Sequence, residues 1–126
     1  MVPANKRVIA LDTNILLAIE KFKINLFGEL RGVFGRNALI VLPSEVEKEL
    51  EKLGKKNAGA RIAKSILKNE GIKIVKTDAK DADSALIELA EKNAVIATND
   101  KKLRKKIKAL GGRIAYLRKK SLLETS

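Results

Sequence analysis

The sequence has no cysteine, histidine or tryptophan among its 126 residues, and these absences exclude much of enzyme chemistry. Without thiols and imidazoles there is no cysteine nucleophile, no Ser-His-Asp triad and no Cys/His zinc site. Catalysis would have to come from carboxylates, hydroxyls, Lys, Arg, the single Tyr116 or a bound hard cation. No run approaches the ~18 consecutive apolar residues of a membrane span. The absence of Cys fits a cytoplasmic protein, which is the location we expect.

Positive charge is what the sequence has in excess. Its 27 Lys and Arg outnumber 15 Asp and Glu, so the formal net charge is +12. Such a balance predicts a polyanionic partner, with nucleic acid favoured over an anionic membrane. The length and the 45% hydrophobic content predict one folded domain over residues 1–126. The abundance of Lys and Glu without Gln resembles the composition of hyperthermophile proteins.

Short apolar runs alternate with longer amphipathic ones along the chain. The runs are rich in Val and Ile and bounded by turn or cap residues, which predicts buried strands over Val8–Leu11, Leu39–Leu42, Ile72–Val75, Ala94–Ala97 and Ile114–Leu117. Apolar residues at helical spacing lie between these strands and predict helices. Ser44 with Glu47 predicts a capping box at the start of the helix that follows the second strand. Only residues 20–38 are unclear, with one or two helices expected to break near Gly28, Gly32 and Gly35. This alternation predicts an α/β fold with a parallel sheet covered on both faces.

Two aspartates lie at or just after the ends of predicted strands. Asp12 comes after the first strand and Asp100 just after the fourth, where open α/β sheets form their ligand crevice. Asp83 lies in the first turn of the preceding helix, and Glu49 lies on the helix after the second strand. Four acids from four connections would therefore meet at one edge of the sheet.

Each acid also has a plainer interpretation. An Asp at a helix start is usually a cap, and Asp81 before Ala82 is the clearest example. Glu49 alone resembles a solvent-facing helix residue. Clustered carboxylates, however, repel one another unless a cation neutralises them. Mg²⁺ or Mn²⁺ prefers oxygen ligands and can activate water for phosphodiester hydrolysis, so the combination favours a metal site.

Four segments, in order, resemble the PIN-domain nucleases over nearly the whole chain. They are Leu11-Asp12-Thr13-Asn14, the Pro43–Leu50 segment with Val46 and Glu49, Asp83-Ser84-Ala85-Leu86, and Ala97-Thr98-Asn99-Asp100. The resemblance implies a three-layer α/β/α fold, a five-stranded parallel sheet of order 3-2-1-4-5 and a metal-dependent endoribonuclease. It assigns Asp12, Glu49, Asp83 and Asp100 as catalytic metal ligands for Mg²⁺ or Mn²⁺, with Asn14 and Thr98 as polar supports.

Two branches of that family compete. One is the VapC-type toxin ribonuclease, which implies an antitoxin partner. The other is the archaeal and eukaryotic branch that processes ribosomal RNA, which implies ribosome-assembly factors and which the run Glu49–Gly54 and the Thr98–Asp100 segment resemble more. Ser84 departs from the processing branch, which often has a second adjacent Asp there; Asp81 is the nearest substitute. A homodimer is a further expectation from the resemblance.

The basic charge is concentrated at the end of the chain. Residues 101–126 contain ten Lys or Arg and one acid, a net of +9. The predicted helix from Lys101 turns Leu103, Ile107 and Leu110 inward. Its remaining surface is basic, and we expect it to bind the RNA backbone through Lys101, Lys102, Arg104, Lys105, Lys106 and Lys108. A merely solvated cationic helix is the plainer alternative.

Two other functions compete with a nuclease. A non-catalytic RNA-binding module of ribosome assembly would use the +9 segment and leave the acids as helix caps. A phosphoryl-accepting α/β domain is less favoured, because Leu11-Asp12-Thr13-Asn14 has one acid where aspartyl-phosphate motifs have two.

Overall fold

The structure is a computed structural model that describes residues 7–118 and the backbone of 123–125. The strands are β1 (Val8–Leu11), β2 (Leu39–Pro43), β3 (Lys73–Val75), β4 (Val95–Ala97), β5 (Arg113–Leu117) and β6 (Leu123–Thr125). The helices are α1 (Thr13–Phe22), α2 (Leu26–Phe34), α3 (Ser44–Gly54), α4 (Ala58–Asn69), α5 (Ala82–Glu91) and α6 (Lys101–Ala109). In the described ranges, none of these helices has the length and apolarity that a membrane crossing needs.

All five predicted strands are present and form a parallel sheet in the order β3-β2-β1-β4-β5. The predicted PIN-like α/β fold with order 3-2-1-4-5 is therefore confirmed. The predicted burial is wrong for β3, because it is an edge strand paired only with β2 and its Ile74 is 38% exposed. A sixth strand, which the sequence did not predict, pairs antiparallel with β5. In this pairing Leu117 of β5 lies opposite Leu123 of β6. The strand β6 extends the sheet on the side opposite β3.

The central strands explain why the sheet is covered on both faces. Successive strand residues point to opposite faces, yet every residue from Ile9 to Leu11 and from Val95 to Ala97 is fully buried. Helices must therefore cover both sides, as short unbroken apolar strands predict. The carboxyl ends of β1 and β4 are left together at one edge, because Leu11 and Ala97 are register partners.

Three local predictions need correction. The capping box of Ser44 and Glu47 is wrong, because Pro43 occupies the N-cap position and no side chain caps α3. In the unclear region, Gly28 and Gly32 lie within α2, and only Gly35 ends it. The break comes earlier, where Lys23 adopts a left-handed conformation and Asn25 caps α2 through Gly28 N at 3.1 Å.

The row of inward-facing apolar residues on α6 is also shorter than predicted. Leu103 and Ile107 are buried on α6, but Leu110 is 57% exposed. Leu110 lies at the C-cap, after the last regular turn of α6. Its side chain therefore no longer follows the helical stripe toward the core.

Candidate active site

The first pair of predicted acids lies at adjacent strand ends. Asp12 follows β1 and caps α1, and Asp100 lies three residues beyond β4 and caps α6. The backbone N–H of Asp12 donates to the Ala97 carbonyl at 3.0 Å, which extends the ladder past the end of β1. Both aspartates are thus helix caps and strand-end carboxylates at once, so the two interpretations of these residues describe the same geometry.

A buried threonine connects these two acids. Thr98 is fully buried, and its hydroxyl donates to Asp12 Oδ2 at 2.7 Å. The same Oγ1 accepts the backbone N–H of Asp100 at 3.1 Å. One hydroxyl therefore fixes the orientation of the Asp12 carboxylate and the start of α6, in the supporting position predicted for Thr98.

Two asparagines hold the loop around Thr98 through hydrogen bonds to the backbone. Asn14 Oδ1 accepts the backbone N–H of Asn99 at 2.9 Å and lies 3.4 Å from Thr98 Oγ1. Asn99 Oδ1 accepts the backbone N–H of Leu117 at 2.9 Å, which ties the loop to β5. Asn14 was predicted as a support, but Asn99 was missed. Its place between Thr98 and Asp100, in a loop rather than an element, was the available signal.

The Asp12 carboxyl group is buried. Its side chain is only 6% exposed, and its second oxygen, Oδ1, accepts the Thr13 backbone N–H at 2.7 Å. Burial raises the pKa of Asp12 above the ordinary 3.8, and the hydrogen bonds from Thr98 and Thr13 oppose that rise. The negative charges of Asp83 and Glu49 raise the pKa further. These two acids therefore lie close enough to repel Asp12.

The second pair, Glu49 on α3 and Asp83 on α5, is exposed to solvent. Partial burial is the main cause that raises the pKa of Asp83, followed by the charges of Asp100, Asp81 and Glu49, while Lys106 opposes the shift. The four predicted ligands thus belong to one electrostatic cluster. Over residues 7–118, none of the four forms an ion pair.

The donor set fits a hard divalent cation in its chemistry. All candidate ligands are carboxylate oxygens, and the most buried of them has no cationic partner in the described ranges. As they stand, no three acidic side chains of the described residues are placed so that they could hold a metal ion. Because like charges spread apart, a cation would have to draw the exposed Glu49 and Asp83 toward the fixed Asp12 and Asp100.

Asp81 lies near this cluster but has a structural role of its own. Its carboxylate accepts the Ser84 backbone N–H at 2.8 Å and caps α5. That bond lowers the pKa of Asp81, which is fully exposed. The interpretation of Asp81 as a cap is confirmed, and because residue 84 is a serine, Asp83 is the one acid within the first turn of α5.

The basic residues of α6 flank the acids on one side. Five of the six predicted RNA-binding side chains are exposed, namely Lys101, Lys102, Lys105, Lys106 and Lys108. Arg104 differs, because its guanidinium lies 4.1 Å from the centre of the Tyr116 ring and its Nε is buried without a hydrogen-bond partner. Lys106 is the lysine whose charge acts on Asp83. The cationic surface of α6 therefore adjoins the acid cluster.

Comparisons with known proteins identify a family, related sequences and a related structure. A sequence model of the family described as "PIN like domain" matches residues 9–120. Ribonuclease VapC9 of Archaeoglobus fulgidus is 37% identical over 118 residues, covering 89% of this chain and 84% of that protein. Ribonuclease VapC4 of Methanocaldococcus jannaschii is 32% identical over 122 residues, covering 90% and 92%. The structure of the PIN domain endonuclease Utp24 matches with a TM-score of 0.82 and 25% identity, covering 98% of this chain and 93% of that one.

Proposed function

This chain belongs to the PIN-like domain family, and from that premise we propose that it is an endoribonuclease that depends on Mg²⁺ or Mn²⁺. The family resemblance predicted from the sequence is confirmed. Its relatives VapC9 and VapC4 are named ribonucleases, and its structural neighbour Utp24 is an endonuclease. The proposed metal ligands are Asp12, Glu49, Asp83 and Asp100.

The observation that carries the proposal is the buried Asp12 carboxylate joined through Thr98 to the backbone of Asp100. A helix cap needs only one carboxylate at the surface, where free N–H groups of the first turn are exposed. Burial of a carboxylate beside three other acids is costly unless a cation arrives. The strand-end position is also where open α/β sheets bind ligands.

A bound Mg²⁺ or Mn²⁺ would supply activated water and stabilise the leaving oxygen of a phosphodiester. The protein's contribution is to place oxygen ligands and to hold the RNA. Thr98 and Asn14 fix the strand-end acids, and the exposed Glu49 and Asp83 complete the ligand set. The lysines of α6 would hold the phosphate backbone next to that set, through contacts that position RNA without reading its sequence.

The biological role has two candidates. Cleavage of ribosomal-RNA precursors is favoured by the Glu49–Gly54 run and the Thr98-Asn99-Asp100 segment, which resemble the processing branch of the family. A VapC-type toxin activity, with an antitoxin as partner, is favoured by the names of the two ribonuclease relatives. Incubation with precursor ribosomal RNA and with an unrelated RNA of similar length separates the two, because the processing role predicts one defined cut in the precursor.

The test of the chemistry is RNA cleavage with Mn²⁺, with Mg²⁺ and with a chelator, by the wild type and by Asp12→Asn. We expect metal-dependent cleavage that Asp12→Asn abolishes. Asp81→Asn is the matched control, because it removes a neighbouring acid that only caps a helix, and it should keep the activity. Equal cleavage by Asp12→Asn would reject Asp12 as a ligand. RNA binding without cleavage in any metal would favour the non-catalytic binding module.

A further inference from the structure

The side chain of Arg104 lies beside the acid cluster, between the first turn of α6 and the end of β5. Its backbone N–H donates to the carbonyl of Asp100 at 2.9 Å, one helical turn away. Long side chains on a helix lean toward its amino end, which in α6 is the end that Asp100 caps. The Thr98 N–H donates to the Ala115 carbonyl at 3.0 Å, so Tyr116, the next residue of β5, lies beside the strand-end loop. Arg104 and Tyr116 therefore both border the proposed metal site.

The Tyr116 ring holds the Arg104 guanidinium in one orientation. The central carbon of the guanidinium lies 4.1 Å from the centre of the ring, within the range of a stacked cation–π contact. Nε of Arg104 is buried without a hydrogen-bond partner, whereas the terminal nitrogens Nη1 and Nη2 are not enclosed in this way. The ring and the buried Nε thus fix the plane of the guanidinium and leave its terminal nitrogens facing outward.

The charge of Arg104 is not neutralised by the acids beside it. Across residues 7–118, Arg104 forms no ion pair with Asp100 or with any other carboxylate. An arginine remains charged at any pH at which a protein folds. Pairing with the cluster would compete with a metal ion for the same oxygens, so the separation leaves both the acids and the guanidinium available to ligands of opposite charge.

A phosphate is the anion that suits this arrangement. Two N–H groups of a planar guanidinium match two oxygens of one phosphate, and a stacked guanidinium presents them along its rim. Lys101 and Lys108 are exposed three residues before Arg104 and four residues after it, which places all three on one side of α6. This row of cations matches a backbone that carries repeated negative charges.

We propose that Tyr116 is a positioning residue that presents Arg104 as a fixed, two-point contact for one phosphate of the RNA backbone beside the acid cluster. Nη1 and Nη2 donate to the two free oxygens of that phosphate. The lysines of α6 are flexible point charges, which attract the backbone without fixing where each phosphate lies. The contact of Arg104 instead sets the position of the strand relative to the metal ligands. This assignment rests on the proposed function, since it takes RNA to be the substrate.

Binding without cleavage tests the proposal. The Kd for a fluorescent RNA octamer is measured in a chelator at several salt concentrations. Arg104→Lys keeps the charge and removes the planar fork, so it should bind about tenfold more weakly, the scale of one lost charge-assisted hydrogen bond. The slope of log K against log salt should stay the same, because the number of cations is unchanged. Arg113→Lys is the matched control, since it makes the same change at the amino end of β5 and should leave Kd unchanged.

The role of Tyr116 is tested by coupling. Tyr116→Leu should weaken binding about as much as Arg104→Lys, whereas Tyr116→Phe keeps the ring and should bind like the wild type. The double variant Arg104→Lys with Tyr116→Leu should bind within about twofold of Arg104→Lys alone, because the two residues form one contact and their effects do not add. Thermal unfolding of each variant shows whether it folds, and Arg104→Lys carries the test if Tyr116→Leu does not.

The outcomes also separate this contact from the proposed nuclease. Wild-type affinity in a folded Arg104→Lys variant would overturn the phosphate contact, even if the protein cleaves RNA with Mn²⁺. A lower Tm with unchanged Kd in both single variants would show that the stack only stabilises the fold. The expected pattern of Kd values in a protein that no metal makes cleave RNA would reject the nuclease and support the contact.

Discussion

The two halves of the acid cluster are built differently. Asp12 and Asp100 follow adjacent strands, and their carboxylates or backbone N–H groups are held by Thr98 and by the first turns of α1 and α6. Glu49 and Asp83 come from the helices α3 and α5 and are exposed, and their side chains make no hydrogen bond within the described residues. One half is fixed by the sheet, and the other is free to change rotamer.

This difference suggests a division of labour. A catalytic metal must be held in one position relative to the substrate, which requires ligands whose own orientation is fixed. The strand-end acids meet that requirement. The helix acids can move to meet the cation, because no neighbouring group restrains them. If the division holds, substitutions in the fixed half should have the largest effects on cleavage, and substitutions outside the cluster should have smaller ones.

Loss of a fixed ligand should be the most damaging change. Asp12→Asn should lower kcat/KM by about a thousandfold or more, since metal catalysis contributes several kcal/mol and each 1.36 kcal/mol is about tenfold. Glu49→Gln should lower kcat/KM less, because the exposed side chains of the helix acids can rearrange around the ion. Single-turnover cleavage of one RNA by both variants makes the comparison, and a greater loss in Glu49→Gln would reverse the assigned order.

Loss of the hydroxyl that orients Asp12 should come next. Thr98→Val keeps the shape of a buried side chain and removes the donor to Asp12, so we expect a loss of about 10- to 100-fold in metal affinity or activity. Thr77→Val is the control, because the Thr77 hydroxyl donates to Glu45, which is not a proposed ligand. Thermal unfolding of both variants checks that each keeps the fold. Full activity in Thr98→Val would show that the fixed half does not depend on Thr98.

The α6 surface should affect binding more than chemistry. Lys105→Ala with Lys106→Ala should weaken RNA binding and reduce the slope of log K against log salt by about 0.7 for each phosphate that is no longer neutralised. The control removes two charges near the amino ends of β4 and β5, with Lys92→Ala and Arg113→Ala. Filter binding at several salt concentrations gives the slopes. Identical slopes for the two double variants would mean that α6 is a solvated helix only.

The smallest effect concerns stability without metal. Because burial raises the pKa of Asp12 in the folded state, the native protein binds more protons than the unfolded chain above the ordinary 3.8. Stability is therefore lost as pH rises from that value through the folded pKa, and the charged form costs stability at neutral pH. Asp12→Asn should raise Tm in a chelator at pH 7, by roughly 4 °C for each kcal/mol relieved.

The difference in Tm between Asp12→Asn and the wild type should narrow as the pH falls through the folded pKa and below the ordinary 3.8, because the Asp12 carboxyl is then neutral in both the folded and the unfolded state. Differential scanning calorimetry over that range measures it. A lower Tm for Asp12→Asn at pH 7 would mean that the carboxylate stabilises the fold as a cap more than burial of its charge destabilises it.

The sequence was most informative about features that depend on a single short segment of the chain. Apolar runs such as Val8–Leu11 predicted the central parallel strands, because a strand that is buried on both faces is apolar along its whole length. Asp12 and Thr98 could be placed at the sheet edge because they directly follow such runs. Their roles as metal ligand and support stay predictions.

What the sequence did not predict depends on contacts between distant segments. The strand β6 exists only through pairing with β5. Asn99 acts through Leu117, which is 18 residues away, and Arg104 through the ring of Tyr116. The missing capping box is instead a local competition, in which Pro43 takes the cap position ahead of Ser44.

The central claim is that four carboxylates from both halves bind one catalytic metal site. A crystal structure of the protein soaked in Mn²⁺, with anomalous scattering data, tests it most directly. We predict a manganese peak bonded to Asp12 and Asp100 in their present orientation, with Glu49 and Asp83 turned inward to reach the ion. Manganese bound elsewhere, or strand-end and helix acids that stay apart at saturating Mn²⁺, would contradict the account.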